Sequence, residues 1–214
     1  MSRPVLHFWE ASPAARICQL VIRYLDLDVE IRSRSYSDHK TEEFFKLNPS
    51  QKIPVLQDGD FTLSESLAIC QYLIEKNGSQ DKLLGKTLKD RAVVMHRLCF
   101  NLATVFVKLY DLTQPLYDGT TKEYDTQKLQ DCLKMLTELD FYLGEHRWAA
   151  ADYVTLADLA ILTMVASCRH CGFDLAPFKN ISQWYKKCET LPGFAENEDG
   201  AKRLGKDLKE FMTK

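Results

Sequence analysis

No run of lysine or arginine in this 214-residue chain exceeds two, and the formal net charge is −2. That argues against nucleic acid or an anionic membrane as a main partner. The N-terminus has one arginine, Arg3, then six residues before Glu10. This is too short for the apolar region of a secretory leader. No uninterrupted apolar run approaches the roughly 18 residues that a bilayer span needs. Seven cysteines, an odd number, are scattered without tight pairing. Without a leader, that reads as reduced thiols and a cytoplasmic location. Cys168-Arg169-His170-Cys171 is a lone CxxC with no second pair at metal-ligand spacing, so no metal site is expected. A thioredoxin-type redox pair would open the first helix, where the chain has Ser12-Pro13-Ala14-Ala15 instead. Internal repeats and low-complexity tracts are also lacking, and beyond Thr87 no strand pattern is found. What is present is a hydrophobic fraction of 45% on a chain long enough to bury about 70% of its unfolded surface.

Residues 4–9 (PVLHFW) form a short, nearly continuous apolar run, which predicts a strand. Ser12-Pro13 is a helix start, a hydroxyl cap followed by proline at the first helical position. The helix then runs to about Leu25 with Ile17, Cys18, Val21 and Ile22 on one face. Residues 29–34 alternate as a second strand, so the first 34 residues predict a right-handed parallel crossover. A short helix over 41–46 precedes Asn48-Pro49. Residues 53–57 and 60–63 read as two strands joined by a hairpin at Asp58-Gly59. Pro54 at the start of its strand suits an edge position, leaving the Ile53 backbone free for an outside partner. Ser64-Glu65-Ser66 opens the next apolar-periodic helix. The expected division is an α/β domain over 1–78, a linker over 79–87, and an all-helical domain over 88–214.

In the helical part, Leu88, Ala92, Met95, Cys99, Leu102, Phe106 and Leu109 repeat at spacings of three and four, which predicts a long amphipathic helix. Residues 115–125 read as a loop, and Leu129 to Leu143 mark another helix. Thr155-Leu156-Ala157-Asp158 is a capping box, with Val154 and Leu159 at the hydrophobic-staple positions. The almost wholly apolar helix behind it should be central to its domain. Two further helices, over 181–190 and 201–212, complete the pattern.

Ser12 has two readings. As a helix cap it is ordinary. At the carboxyl end of the first strand and the positive end of a helix it could also donate to a thiolate and help lower a thiol pKa from about 8.5. The two roles are expected to be compatible only in part, because one hydroxyl proton cannot serve two acceptors. An extended backbone at Ile53 and a nearby helix N-terminus could together grip a peptide with a carboxylate at one end. The aromatics Phe100, Phe106, Tyr110 and Tyr117 of the long helix are divided between core packing and the cleft facing the first domain.

The order Ser12-Pro-Ala-Ala-Arg16, Asp38-His39, Asn48-Pro49, Lys52-Ile53-Pro54-Val55-Leu56, Ser64-Glu65-Ser66-Leu67-Ala68-Ile69 and Thr155-Leu156-Ala157-Asp158 resembles the cytosolic glutathione transferases over nearly the whole chain. The resemblance implies a thioredoxin-like domain followed by a helical bundle, with Pro54 in a cis peptide. The alpha, mu and pi classes use a tyrosine on the first strand, and here the first tyrosine is Tyr24. The omega class uses a cysteine, and Cys18 lies inside the helix. Ser12 fits the serine-using insect delta and epsilon and theta classes. The helical part looks like delta/epsilon, and the stretch from Gln57 to Ser66 more like theta.

The resemblance further implies glutathione as co-substrate, detoxification of hydrophobic electrophiles, and a homodimer. Ser12 would stabilise the glutathione thiolate, and Ile53 beside Pro54 would pair with the cysteinyl backbone. Glu65 and Ser66 would hold the γ-glutamyl end, while His39, Gln51 and Lys52 would lie near the glycyl carboxylate. The electrophile would lie against Phe106, Leu109, Tyr110, Thr113 and Tyr117, capped by Phe211. Delta and epsilon members usually carry His-Thr where this chain has Gln51-Lys52, so carboxylate recognition shifts toward Lys52. They often carry Arg or His where this chain has Leu67. The same fold could instead serve a non-catalytic carrier of hydrophobic ligands, or a glutathione-dependent isomerase, dehydrohalogenase or peroxidase.

Overall fold

The computed structural model describes residues 3–35, 38 and 41–213. The N-terminal domain contains β1 (Val5–Phe8), α1 (Pro13–Tyr24), β2 (Glu30–Ser33), α2 (Glu42–Leu47), β3 (Val55–Asp58), β4 (Phe61–Ser64) and α3 (Ser66–Lys76). The sheet order is β2-β1-β3-β4. β1 pairs with β2 in parallel, and the other two pairings are antiparallel. This is a thioredoxin-like arrangement. Alternate residues of a strand face opposite sides. His7 meets Phe44 of α2 edge-on, with ring centroids 5.9 Å apart. That leaves Leu6 and Phe8, both buried, for the face where α1 and α3 pack.

Two local readings need correcting here. β3 is an internal strand, not an edge. Proline is tolerated because the ladder begins after it, at Val55, and its missing N–H costs no ladder bond. The hairpin turn falls one residue later than read, with Asp58 pairing Phe61 across Gly59-Asp60. Gly59 has φ +66°, and glycine at the first central position suits a two-residue hairpin.

The helical part comprises α4 (Gln80–Leu83), α5 (Leu88–Phe100), a π-helical segment (Asn101–Phe106), α6 (Val107–Tyr117), α7 (Thr126–Leu143), α8 (Leu156–His170), α9 (Lys179–Cys188) and α10 (Phe194–Thr213). α8 is buried from Leu156 through Cys168 and packs against α1, α5 and α10. The Asp158 carboxylate accepts from the Thr155 and Ala149 amides at 2.9 and 2.7 Å, the Thr155 hydroxyl at 3.0 Å and Trp184 Nε1 at 2.9 Å.

The two domains are tied by Arg16 of α1, which is 0% exposed. Its guanidinium donates to the Asn197 carbonyl and Oδ1 at 2.9 and 2.8 Å, and to Ser167 Oγ at 2.5 Å. Burial pulls its pKa down to about 10. α10 begins earlier than the expected residue 201 and runs through two glycines. A Cβ at Gly200 would strike the Glu10 carbonyl and the Arg16 side chain, and one at Gly205 the His170 carbonyl. These glycines are close-approach positions rather than helix breaks.

The long helix departs from its expected form in three ways. Leu88, Ala92, Met95, Cys99 and Leu102, read as one apolar face, are all exposed, while Val94, Arg97, Leu98, Phe100 and Asn101 are buried. The helical stretch also continues to Tyr117, with Pro115 inside it. Proline cannot bond the Asp111 carbonyl, and Lys128 Nζ donates to that oxygen at 3.0 Å. Finally, Leu88–Tyr117 passes a length-and-composition test for a membrane span, with a window of mean hydropathy 1.4 of which 33% is buried in the protein. Core helices of soluble folds share this composition.

Candidate active site

Ser12 is the cap of α1. Its Oγ accepts the Ala15 N–H at 3.3 Å, and its own N–H donates to the Trp9 carbonyl at 3.0 Å. The cap uses a lone pair, so the hydroxyl proton remains available to another acceptor. The expectation that capping and donation are compatible only in part is therefore corrected: the two uses are fully compatible.

Two adjoining cavities lie between the domains. The larger, of about 570 Å³, is lined by Trp9, Ser12, Gln51, Lys52 and Ile53 on one side. Phe106, Leu109, Tyr110, Thr113 and Tyr117 line it on the other. The smaller, of about 140 Å³, is lined by Pro54, Glu65, Ser66, Leu67 and Asn101. Both share Ala14, Lys52, Ile53, Phe106 and Met164. Of the expected site residues, Ser12 and the helix aromatics thus border the large cavity, and Pro54, Glu65 and Ser66 the small one. Phe211 lines neither but packs on Tyr117 with centroids 5.0 Å apart. Of the four aromatics divided between core and cleft, Phe100 falls to the core, packing on Tyr142 at 5.1 Å. His39 lies outside the described residues.

The bend between the cavities is held by local bonds. The Ile53–Pro54 peptide is cis. Asn48 holds the loop before it, donating to the Lys52 carbonyl at 2.8 Å and accepting from Ser50. Gln51 has φ +51° and its amide reaches the Thr41 carbonyl at 3.4 Å. Among the described residues, the Ile53 backbone has no hydrogen-bond partner. Glu65, with φ +68°, precedes α3, and no side chain caps that helix. A non-glycine residue held at positive φ stores strain of order 1–3 kcal/mol and is typical of functional positions.

Sequence reasoning missed Trp9 and Asn101. Trp9 was read as a strand end. Asn101 is 3% exposed, and its Oδ1 has no partner. Leaving such a group unpaired costs about 1–3 kcal/mol, and the residue lines the small cavity. A polar residue interrupting the buried side of a long apolar helix was the one signal available. The CxxC plays no part: burial pushes the Cys171 thiol up to about 12 and Cys168 well above its ordinary value, so both are inert. Among the described residues no group of three or more His, Cys, Asp or Glu could hold a metal ion.

Residues 6–81 match the glutathione S-transferase N-terminal domain family, and residues 97–192 the glutathione S-transferase C-terminal domain family. Glutathione S-transferase unclassified 2 from Bombyx mori is 36% identical, with TM-score 0.91 over 98% of each chain. The chain belongs to the glutathione S-transferase family. A Nilaparvata lugens delta-class transferase is 33% identical, with TM-score 0.91 over 97% of this chain and 99% of that one. An epsilon-class transferase from Musca domestica is 30% identical, with TM-score 0.91 over 98% of each. The chain is thus a transferase whose structural neighbours are insect delta and epsilon enzymes, and glutathione is the family's co-substrate. The residues present fit that tripeptide: an unpaired backbone at Ile53, a helix N-terminus with no side-chain cap, and Asn101 on the wall of the small cavity.

Proposed function

We propose that Ser12 activates the glutathione thiol for conjugation to hydrophobic electrophiles. The observation that carries this is the Ser12 hydroxyl, with its proton uncommitted by the cap, on the wall of the cavity that also holds the unpaired Ile53 backbone. The tripeptide would lie along the bend, its cysteinyl backbone on Ile53 and its γ-glutamyl carboxylate at the N-terminus of α3 beside Glu65 and Ser66. Asn101 would bond the polar end of that γ-glutamyl group. Lys52, exposed at the other side of the bend, would meet the glycyl carboxylate, with Gln51 and, by resemblance, His39 nearby. The sulfur then faces the larger cavity. There the Ser12 hydroxyl and the positive end of α1 favour its ionised form, and the apolar wall from Phe106 to Tyr117 holds the electrophile close. Each unit by which the thiol pKa falls is worth about 1.4 kcal/mol.

Removing one such donor from an anionic reaction centre costs about 10²- to 10³-fold in turnover. In Ser12→Ala, kcat with a general aryl halide should fall by about 10²-fold, while the Kd for glutathione changes by only a few fold. The thiolate absorbance of the bound tripeptide should titrate at higher pH. Equal losses in turnover and affinity, or an unmoved titration, would contradict the role.

The same reading extends to the cellular setting. We infer a homodimer through the exposed apolar stripe of α5. A cytoplasmic location fits seven free thiols, six of them buried, and detoxification is the physiological use that the electrophile site suits.

A further inference from the structure

We propose that Trp9 is the specificity-determining wall of the electrophile site, selecting flat, electron-poor aromatic electrophiles over linear aliphatic ones. The inference rests on the reading that the thiolate forms at Ser12. Trp9 follows β1 directly, and its carbonyl accepts the Ser12 N–H at 3.0 Å. One tight turn therefore fixes the indole relative to the hydroxyl. Both side chains line the 570 Å³ cavity. The indole is braced edge-to-face by Tyr117, with centroids 6.3 Å apart and planes at 81°. Phe106 and Tyr110, which line the same cavity, lie nearly parallel, 19° apart at 5.8 Å. An electrophile whose reacting carbon meets the sulfur beside Ser12 must therefore lie along an electron-rich, rigid ring. Such a ring attracts an electron-poor aromatic plane more than a flexible chain, because aromatic pairs gain beyond the area they bury.

The reaction favoured is substitution on the ring. The thiolate gives its electron pair to the carbon bearing a halogen and the C–S bond forms. The C–halogen bond then breaks, and halide leaves with the bonding pair. The thiol proton has already passed to solvent, and no oxidant or reductant enters.

The test compares 1-chloro-2,4-dinitrobenzene with trans-2-nonenal. In Trp9→Ala, kcat/KM for the aryl chloride should fall about tenfold, mainly through KM, and for the enal about twofold. Trp9→Phe should recover most of the aryl preference. Trp9→Leu, which keeps bulk without a ring, should show the selective loss even if the alanine variant folds poorly. A second readout needs no turnover. The dinitrophenyl conjugate of glutathione should quench indole fluorescence in the wild type. Most of that quench should vanish in Trp9→Phe, although Trp148 and the buried Trp184 remain. Equal losses for both electrophiles, no loss, or an unchanged quench would overturn the proposal. Failure of the Ser12 reading looks different: Ser12→Ala would keep full turnover with both electrophiles while the Trp9 variants still changed their ratio.

Discussion

His7 shows how one side chain can make the sheet sensitive to pH. It is 1% exposed at the middle of β1. Arg34 Nε donates to its Nδ1 at 3.2 Å, so the ring proton sits on Nε2, which lies 2.6 Å from Gln57 Oε1. Protonating Nδ1 would break the Arg34 bond and bring two positive charges together. Burial first, then the charge of Arg34, holds the imidazole pKa below its ordinary 6.5. The folded state therefore binds its proton at lower pH than the unfolded chain does. This contribution is complete above about pH 6.5 and is lost as the pH falls through the lower, folded value. Thermal midpoints followed from pH 8 to pH 5 should decline below about 6.5 in the wild type, and less steeply in His7→Gln. Parallel curves would remove His7 from the account. Ser12 teaches a related lesson at the same scale. Its residue type and position were legible in the sequence, and so was its spare proton, because a helix N-terminus presents N–H donors and a capping hydroxyl can only accept there.

Among the elements, α8 is the one whose loss the fold would feel most, and its start rests on Asp158. Four donors converge on that carboxylate, from the Thr155 amide and hydroxyl, the Ala149 amide and the Trp184 indole. Asp158→Ala would leave buried donors unpaired, each costing about 1–3 kcal/mol. Urea unfolding should show a loss of about 3 kcal/mol or more, and a loss under 1 kcal/mol would mean that the box is incidental. This motif was legible because a capping box is local, confined to four consecutive residues. Ser12, Ile53, Glu65 and Ser66 were legible as site candidates for the same reason, since each marks the end of an element. What could not be read depends on how elements meet. The early start of α10 at Phe194 was not read, and the close fit of Gly200 and Gly205 shows only once Glu10, Arg16 and His170 are seen against them. Pro115 read as a helix end because Lys128, which takes the orphaned Asp111 carbonyl, is thirteen residues away. The π-helical segment turns Asn101 and Phe106 toward the same small cavity, and a spacing of five carries no such message in a helical pattern of three and four. Trp9 was missed likewise, since a strand-end aromatic is a cavity wall only once the facing helix is placed.

For the whole molecule, the dimer proposed above rests on the exposed apolar stripe that begins on α5. Leu88, Ala92, Met95, Cys99 and Leu102 alternate spacings of four and three, the a/d seam by which one helix packs on another. Leu88 is 77% exposed, Met95 55% and Leu102 48%. Over fourteen residues the seam runs about 21 Å along the helix axis. Leu88–Tyr117 also has the length and apolar composition of a membrane span, so two outcomes compete: a bilayer, or a second copy. The other face of the helix favours the second copy. Arg97 there is 3% exposed and donates to the Ala149 carbonyl at 3.1 Å while pairing with Glu145. These bonds tie the helix into the folded domain, and a bilayer would have to break them. A two-fold dimer repeats one patch on both partners, so Met95, central in the stripe, would face the corresponding stripe near the axis. Met95→Asp would then bring two carboxylates into an apolar contact, where each unpaired charge costs several kcal/mol. Sedimentation equilibrium should give twice the 24.7 kDa chain mass for the wild type and the single mass for Met95→Asp. Neither protein should pellet with neutral lipid vesicles. A wild type that sediments as a single chain, or one that follows the vesicles, would show that the seam has another occupant.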